Sequence, residues 1–318
     1  MTSEFELIQR YFARAPRRAV LGVGDDAALL RTTPGHELVV STDMLVAGRH
    51  FLPNAQPCLL GQKALAVNLS DMAAMGAEPR WATLALALPS ADEAWLADFA
   101  RGVFMQADRF DVDLVGGDTT RGPLNICVHI LGEVPEGQAL RRDGAMPGDD
   151  IWVSGTLGEA AMGLAHLQGK IALAPDEAEH CLKRLHTPQP RVDLGVALRN
   201  IAHSAIDISD GLLADLGHIL ERSQAGAAIH FGSIPVWRAA ARRLPEPVVV
   251  QCVLAGGDDY ELCFTAATDR RAAIEALAPR LQLPLARIGS IMVEPALTVL
   301  DHTGRPMAID ARGYDHFA

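Results

Sequence analysis

Residues 63–80 constrain the fold more than any other stretch. They read Lys-Ala-Leu-Ala-Val-Asn-Leu-Ser-Asp-Met-Ala-Ala-Met-Gly-Ala-Glu-Pro-Arg. The Ala, Leu, Val and Met content predicts a helix that is apolar on most sides and therefore buried. Gly76 stops that helix, and Pro79 forbids its continuation. Asp71 sits in its middle, with Asn68 three residues back on the same face. A buried carboxylate is costly unless it is paired or holds a cation. The fold must therefore bring a basic side chain, polar groups or a metal to this helix.

The rest of the chain favours a metal. Asp recurs beside Gly, Ser or Thr in Gly24-Asp25-Asp26, Ser41-Thr42-Asp43, Gly116-Gly117-Asp118, Asp207-Ile208-Ser209-Asp210 and Gly257-Asp258-Asp259. Strands are predicted over 18–21, 38–42, 112–115, 205–208 and 248–254, so most of these acids follow a strand end. Any single Gly-Asp pair is ordinarily a turn. Five acidic motifs and a mid-helix Asp together point to divalent cations that hold a polyphosphate. Glycine lets a ligand approach the backbone, and magnesium takes a few carboxylates plus phosphate oxygens and water.

Charge narrows the partners. The net charge of −11 argues against nonspecific nucleic-acid binding and against an anionic membrane surface. An anionic substrate then approaches the acids only with cations. The five cysteines are odd in number and form no C-x-x-C, which predicts a reducing cytoplasm without a disulfide or zinc framework. Lys63 and Asp71 interrupt the best candidate for a membrane span. The opening Met-Thr-Ser-Glu-Phe-Glu leads to the expectation of no signal peptide.

Alternating strands and helices predict a mixed α/β class, and 318 residues suffice for two domains. The polar stretch 136–150, rich in Gly, Pro and Asp, separates an N-terminal domain over 1–137 from a C-terminal domain over 148–318. Gly22-Val23-Gly24-Asp25-Asp26-Ala27 matches a dinucleotide fingerprint, but Thr32-Thr33-Pro34-Gly35 breaks the chain where a helix is needed. Two carboxylates there would also repel a bare pyrophosphate. Arg121 and the Arg141-Arg142 pair are candidate phosphate partners. His50, seven residues after Asp43, either reaches a phosphate or is a loop histidine. Residues 155–158 either bind an anion on free amides or form an N-cap turn. Tyr314 either stacks on a ring or packs locally. The sequence contains no P-loop, G-x-S-x-G or H-E-x-x-H motif.

Taken in order, Gly24-Asp25-Asp26, Ser41-Thr42-Asp43, NLSDMAAMGA at 68–77, GGDTTRG at 116–122, IDISDG at 206–211 and GDDYEL at 257–262 make the chain resemble the thiamine-monophosphate kinases. These belong to the superfamily of aminoimidazole ribonucleotide synthetase. The resemblance runs from about residue 5 to Phe317. It implies a two-domain α/β subunit with mixed sheets and a homodimer formed through the N-terminal domains. The implied reaction is ATP plus thiamine monophosphate giving ADP plus thiamine diphosphate, with several magnesium ions. Carried over position by position, it implies metal ligation by Asp26, Ser41, Thr42, Asp43, Asp71, Asp118, Asp207 and Asp210. Gly117, Asp118, Arg142 and Ser209 would contact ATP, and His50, Asp258 and Tyr314 would face thiamine monophosphate. Relatives commonly carry Glu at position 258, so Asp258 is one methylene shorter, and the aromatic at 314 varies. No catalytic base is implied. That suits a phosphate acceptor already ionised at neutral pH, and direct transfer without a phosphoenzyme follows. The alternatives are another ATP-dependent enzyme of the superfamily, a magnesium-dependent phosphatase, and a noncatalytic nucleotide- or metabolite-binding protein.

Overall fold

Two mixed sheets organise the chain in a computed structural model that describes residues 4–308. The predicted α/β class holds. Among the described residues, one compact unit comprises the chain up to Met72 together with Ala77–Gly137, and the other comprises Ala73–Gly76 together with the chain from Gln138 onward.

The first unit contains α1 (Glu4–Tyr11), β1 (His36–Val46), α2 (Pro57–Ala74, whose last two residues group with the second unit), β2 (Glu78–Leu88), α3 (Glu93–Arg109), β3 (Asp113–Arg121) and β4 (Asn125–Pro135). Its sheet runs β1-β4-β2-β3. β1 and β2 lie antiparallel to β4, and β3 runs parallel to β2. α3 supplies the crossover that a parallel pair requires. Asp92 caps α3 by accepting the N–H groups of Ala94 and Trp95, and Leu96, Phe99, Val103 and Phe104 form its buried face.

α2 is the helix anticipated around Asp71, although it starts earlier, at Pro57. Leu65, Ala66, Leu69, Met72 and Ala73 are all buried, as expected of a helix apolar on most sides. α2 meets α3 through Gly61 and Gly102: a Cβ on Gly102 would lie 2.0 Å from the Cys58 carbonyl oxygen, and one on Gly61 would lie 2.2 Å from that of Phe99. The two backbones touch where α2 meets α3.

The second unit contains β5 (Asp150–Ser154), α4 (Glu159–Leu167), α5 (Pro175–His186), α6 (Val192–Ala197), β6 (Ser204–Asp207), α7 (Leu212–Ser223), β7 (Gly226–His230), α8 (Arg238–Ala241), α9 (Glu246–Ala255), β8 (Leu262–Ala266), α10 (Arg271–Leu281), β9 (Leu285–Met292) and β10 (Leu297–Leu300). Its sheet runs β10-β7-β9-β5-β8-β6, antiparallel except for the β10/β7 pair. Ile151, Val153, Ile206, Leu212, Leu216 and Val253 share its core. Among the described residues no helix is long and apolar enough to cross a membrane.

Several local expectations are corrected. Residues 248–254 form most of α9 and not a strand: Pro at the first turn and burial of Val249, Cys252, Val253 and Leu254 override the β preference of the valines. The glycines and Asp of 116–121 do not leave the sheet. They continue β3 alongside β2 past a register shift at Ala82/Thr83. Asp43 lies inside β1 and not beyond its end. The strand expected over 18–21 reduces to a single bridge between Leu21 and Leu29. Pro79 sits within β2, beside a register shift.

Replacing Gly102 with Ala will destabilise the protein. Helix propensity favours Ala by about 1 kcal/mol, but overpacking against a backbone carbonyl costs about 1–3 kcal/mol or more. Urea unfolding is expected to show a lower midpoint for Gly102→Ala, and a midpoint at or above that of the parent would refute the tight α2/α3 crossing.

Candidate active site

Strand alternation sorts the first acidic cluster. In β1, Ser41 and Asp43 are half-buried on the face toward α2, whereas Leu38, Val40, Thr42 and Met44 are exposed on the other face. The Ser41 hydroxyl donates to Asp71 Oδ2 at 2.6 Å. The Asp43 N–H donates to Asn68 Oδ1 at 3.2 Å, and Asn68 Nδ2 donates back to the Ala64 carbonyl at 3.1 Å. Asp71 is therefore anchored to the sheet by a hydroxyl. The side chain of Thr42 lies on the opposite face from Ser41 and Asp43. His50 Nδ1 accepts the Val46 N–H at 3.0 Å, which places the ring proton on Nε2 and makes that edge a donor.

A separate cleft of about 1080 Å³ lies in the first unit against β2 and β3. Asp25 and Asp26 border it on one side, Gly116, Gly117 and Asp118 of β3 on another, and Phe5, Ile8 and Phe12 supply apolar walls. Asp26 and Asp118 are exposed. Gly117 has φ +150°, and a Cβ there would lie 1.9 Å from the Leu84 carbonyl oxygen, so only glycine lets β3 run this close to β2. Three residues expected to meet the metal or nucleotide, Asp26, Gly117 and Asp118, thus line one cavity.

The loop that carries Asp25 and Asp26 is held from below by Asp113, which the sequence reading did not single out. Asp113 is buried at the start of β3, and its Oδ2 accepts the N–H groups of Arg17 at 2.9 Å, Arg18 at 2.6 Å and Ala19 at 3.1 Å. Arg17 Nε donates to Oδ1 at 3.2 Å. Burial pushes the Asp113 carboxyl up, but these bonds outweigh burial and leave it below its ordinary value. The chain then closes through the Leu21–Leu29 bridge.

In the second unit, β6 ends at Asp207, which is buried, and the segment after it is tied to the segment before β8. The Ile208 N–H donates to the Glu261 carbonyl at 2.8 Å, Tyr260 N–H to the Ile208 carbonyl at 2.8 Å, and Asp258 N–H to the Ser209 carbonyl at 2.9 Å. Asp207, Ser209, Asp210 and Asp258 are thereby brought into one pair of joined loops. Asp258 and Tyr260 have φ of 70° and 50°, in the left-handed region. Between and beyond them, Asp259 and Glu261 are buried anchors. Glu261 accepts from Ser154 Oγ at 2.5 Å, Arg184 Nη2 at 2.5 Å and Arg191 Nε at 2.6 Å. Asp259 Oδ2 accepts the Gly158 N–H at 2.8 Å. Burial, joined by the nearby Glu159 and Glu261 charges, holds the Asp259 carboxyl well above its usual range despite that bond and Arg184. Asp215 Oδ2 accepts three consecutive N–H groups, from Ser209, Asp210 and Gly211, at 3.0, 3.1 and 3.1 Å. Burial first, and then the charge of Asp207, push Asp215 up to about 7.

One alternative from the sequence is decided. The Gly158 amide is filled by Asp259, so the turn at 155–158 is an N-cap held by the protein itself. Arg141 is paired with Asp143 at 2.6 Å. Arg142 is exposed, with its carbonyl accepting from Ser223 Oγ at 2.8 Å. Tyr314 lies outside the described residues. Among those described, no group of three or more His, Cys, Asp or Glu is close enough to hold a metal ion by itself. The expected donors are nonetheless all oxygen, carboxylates and hydroxyls, with no thiolate and no imidazole. That chemistry fits magnesium and not zinc or copper.

Comparison with known proteins adds four similarities. A family model described as "AIR synthase related protein, N-terminal domain" matches residues 24–134. The thiamine-monophosphate kinase of Escherichia coli (strain K12) is 48% identical over 319 residues, covering 99% of this chain and 98% of that protein. The crystal structure of thiamine-monophosphate kinase from Stenotrophomonas maltophilia K279a superposes with a TM-score of 0.85 at 51% identity, covering 89% of this chain and 91% of that one. A structure of AaThiL complexed with AMPPCP and TMP superposes with a TM-score of 0.79 at 29% identity, covering 90% and 89%.

Asp113 yields a pH test. A carboxyl held below its unfolded value of about 3.9 stabilises the fold above that pH, and the contribution is lost as pH falls through the folded value. Asp113→Asn is expected to lose about 1–3 kcal/mol at pH 7. The gap to the parent should narrow once pH drops below about 4. Urea titrations across this range would show a constant gap if the charge of Asp113 were irrelevant.

Proposed function

The chain belongs to the thiamine-monophosphate kinase family, and on that premise we propose that it transfers the γ-phosphoryl group of ATP directly to thiamine monophosphate, giving thiamine diphosphate and ADP. The observation that carries this reading is the similarity to a thiamine-monophosphate kinase along the whole chain. The cleft lined by Asp26, Gly117 and Asp118 supports it.

Metal ligation is assigned to Asp26, Ser41, Thr42, Asp43, Asp71 and Asp118 in the N-terminal domain (1–137), and to Asp207 and Asp210 in the C-terminal domain (148–318). Because its side chain lies on the other face of β1, Thr42 would contribute to the Ser41 side through its backbone. When bound, magnesium neutralises phosphate charge and aligns the reacting groups. The residues of the chain supply the frame. Ser41 fixes the rotamer of Asp71 by its hydroxyl bond. Gly117 is assigned to the nucleotide, with Asp118, Arg142 and Ser209 as its other contacts. His50 presents Nε2–H to thiamine monophosphate, and Asp258 and Tyr314 are assigned to the same substrate. A monoester phosphate has a second pKa of about 6, so the acceptor oxygen is already ionised at neutral pH. A general base has no proton to remove, and positioning with charge neutralisation carries the reaction.

Leu38, Val40 and Met44 form an exposed apolar strip on β1, which supports a homodimer through the N-terminal domain. Five free thiols support a cytoplasmic location.

Phosphorus NMR of the protein with magnesium, ATP and thiamine monophosphate is expected to show thiamine diphosphate and ADP in equal amounts. Asp71→Asn should slow this by at least about 100-fold, the scale of losing several kcal/mol of metal-derived stabilisation. Free phosphate in place of thiamine diphosphate would mark a phosphatase, and trapping of a phosphorylated protein would refute direct transfer.

A further inference from the structure

The end of β6 and the segment after it hold three assigned ligands, Asp207, Ser209 and Asp210, in four consecutive positions. The backbone N–H groups of that segment would be orphans at the start of a helix. The N-cap position is Gly211, which has no side chain to cap with. The cap comes instead from within the helix, one turn on: Asp215, 3% exposed, points back and gathers the N–H groups of Ser209, Asp210 and Gly211 on a single oxygen. The remaining N–H of the segment, that of Ile208, donates to the Glu261 carbonyl. All four consecutive N–H groups are thus committed to the protein before any ligand arrives.

The position of Asp215 is notable. Leu212, Leu216, Ile219 and Leu220 form the buried face of α7, and Asp215 stands on that same face. A third carboxylate buried beside Asp207 and Asp210 is electrostatically unfavourable, and an apolar residue would pack there without that cost. What an apolar residue cannot do is accept three N–H bonds. Groups that orient metal ligands without touching the metal are a recurring requirement of such sites.

We propose that Asp215 is a positioning residue for phosphoryl transfer: its Oδ2 fixes the backbone that presents Asp207, Ser209 and Asp210 to magnesium and nucleotide. The inference rests on the kinase reading and names a residue that touches neither metal nor substrate.

The test compares the parent protein with Asp215→Asn and Asp215→Ala. Hydrogen exchange of residues 206–216 without ligand, calorimetric affinity for magnesium with AMPPCP, and the magnesium concentration that half-saturates turnover are measured together with the urea midpoint. The loop amides are expected to exchange slowly in the parent and fast in Asp215→Ala. Affinity for the magnesium-loaded analogue should fall about 10- to 100-fold in Asp215→Ala, the range seen when groups that orient metal ligands are removed. Asp215→Asn keeps an acceptor oxygen but loses the charge assistance that roughly doubles such bonds, so it should fall between. A merely structural role would lower the urea midpoint and leave the affinity and the magnesium requirement of the folded protein unchanged, and that result would overturn the proposal. If Asp215→Ala does not fold, Asp215→Asn decides by the same criterion. A parent protein that makes no thiamine diphosphate would overturn the kinase reading and this inference with it. Normal turnover by the parent beside unaltered variants would overturn this inference alone.

Discussion

One arrangement underlies both acidic loops: a buried carboxylate oxygen that accepts three consecutive backbone N–H groups. Asp113 does this for Arg17, Arg18 and Ala19, and Asp215 does it for Ser209, Asp210 and Gly211. Asp113 lies in the first compact unit and Asp215 in the second, each at the foot of a loop that carries assigned ligands. The physical need is the same in both cases. A loop that displays several acids cannot hold itself with those acids if they are to meet a cation. Its backbone must be fixed by something else, and an unpaired buried N–H is too costly to leave. A charged acceptor bonds more strongly than a neutral one; at Asp113 these bonds outweigh burial, whereas at Asp215 burial wins and the carboxyl is pushed up.

The broad layout was legible in the sequence because its signals are local. The apolar character of α2, the stop at Gly76 and the lone Asp71 follow from residue type and spacing. The resemblance rests on short ordered motifs that lie in the loops and strands described above. The failures have physical causes. Residues 248–254 look like a strand because three valines adjoin, and only the burial of Val249, Cys252, Val253 and Leu254 makes them helical in α9. Gly116 and Gly117 look like a loop because glycine usually breaks strands, yet Gly117 permits a close approach to β2 that no local pattern encodes. Residue spacing does not reveal the anchors Asp113, Asp215 and Glu261, because their partners lie elsewhere in the chain or behind them on the backbone. One signal was available for Asp215: an acid on the apolar face of a predicted helix.

The strand β1 shows how closely scaffold and chemistry are joined. Ser41 and Asp43 alternate with Leu38, Val40 and Met44 along eleven residues paired to β4, with Ser41 opposite Ile130. A slip of one residue would turn every side chain to the other face. It would press aliphatic groups against Asp71 and strand the hydroxyl and carboxylate on the apolar side. The first error is costly, because it replaces the Ser41 hydroxyl bond to Asp71 with an aliphatic contact. The alternation that builds the site therefore also acts as a proofreading device during folding, because the misaligned sheet is selected against before any ligand is present.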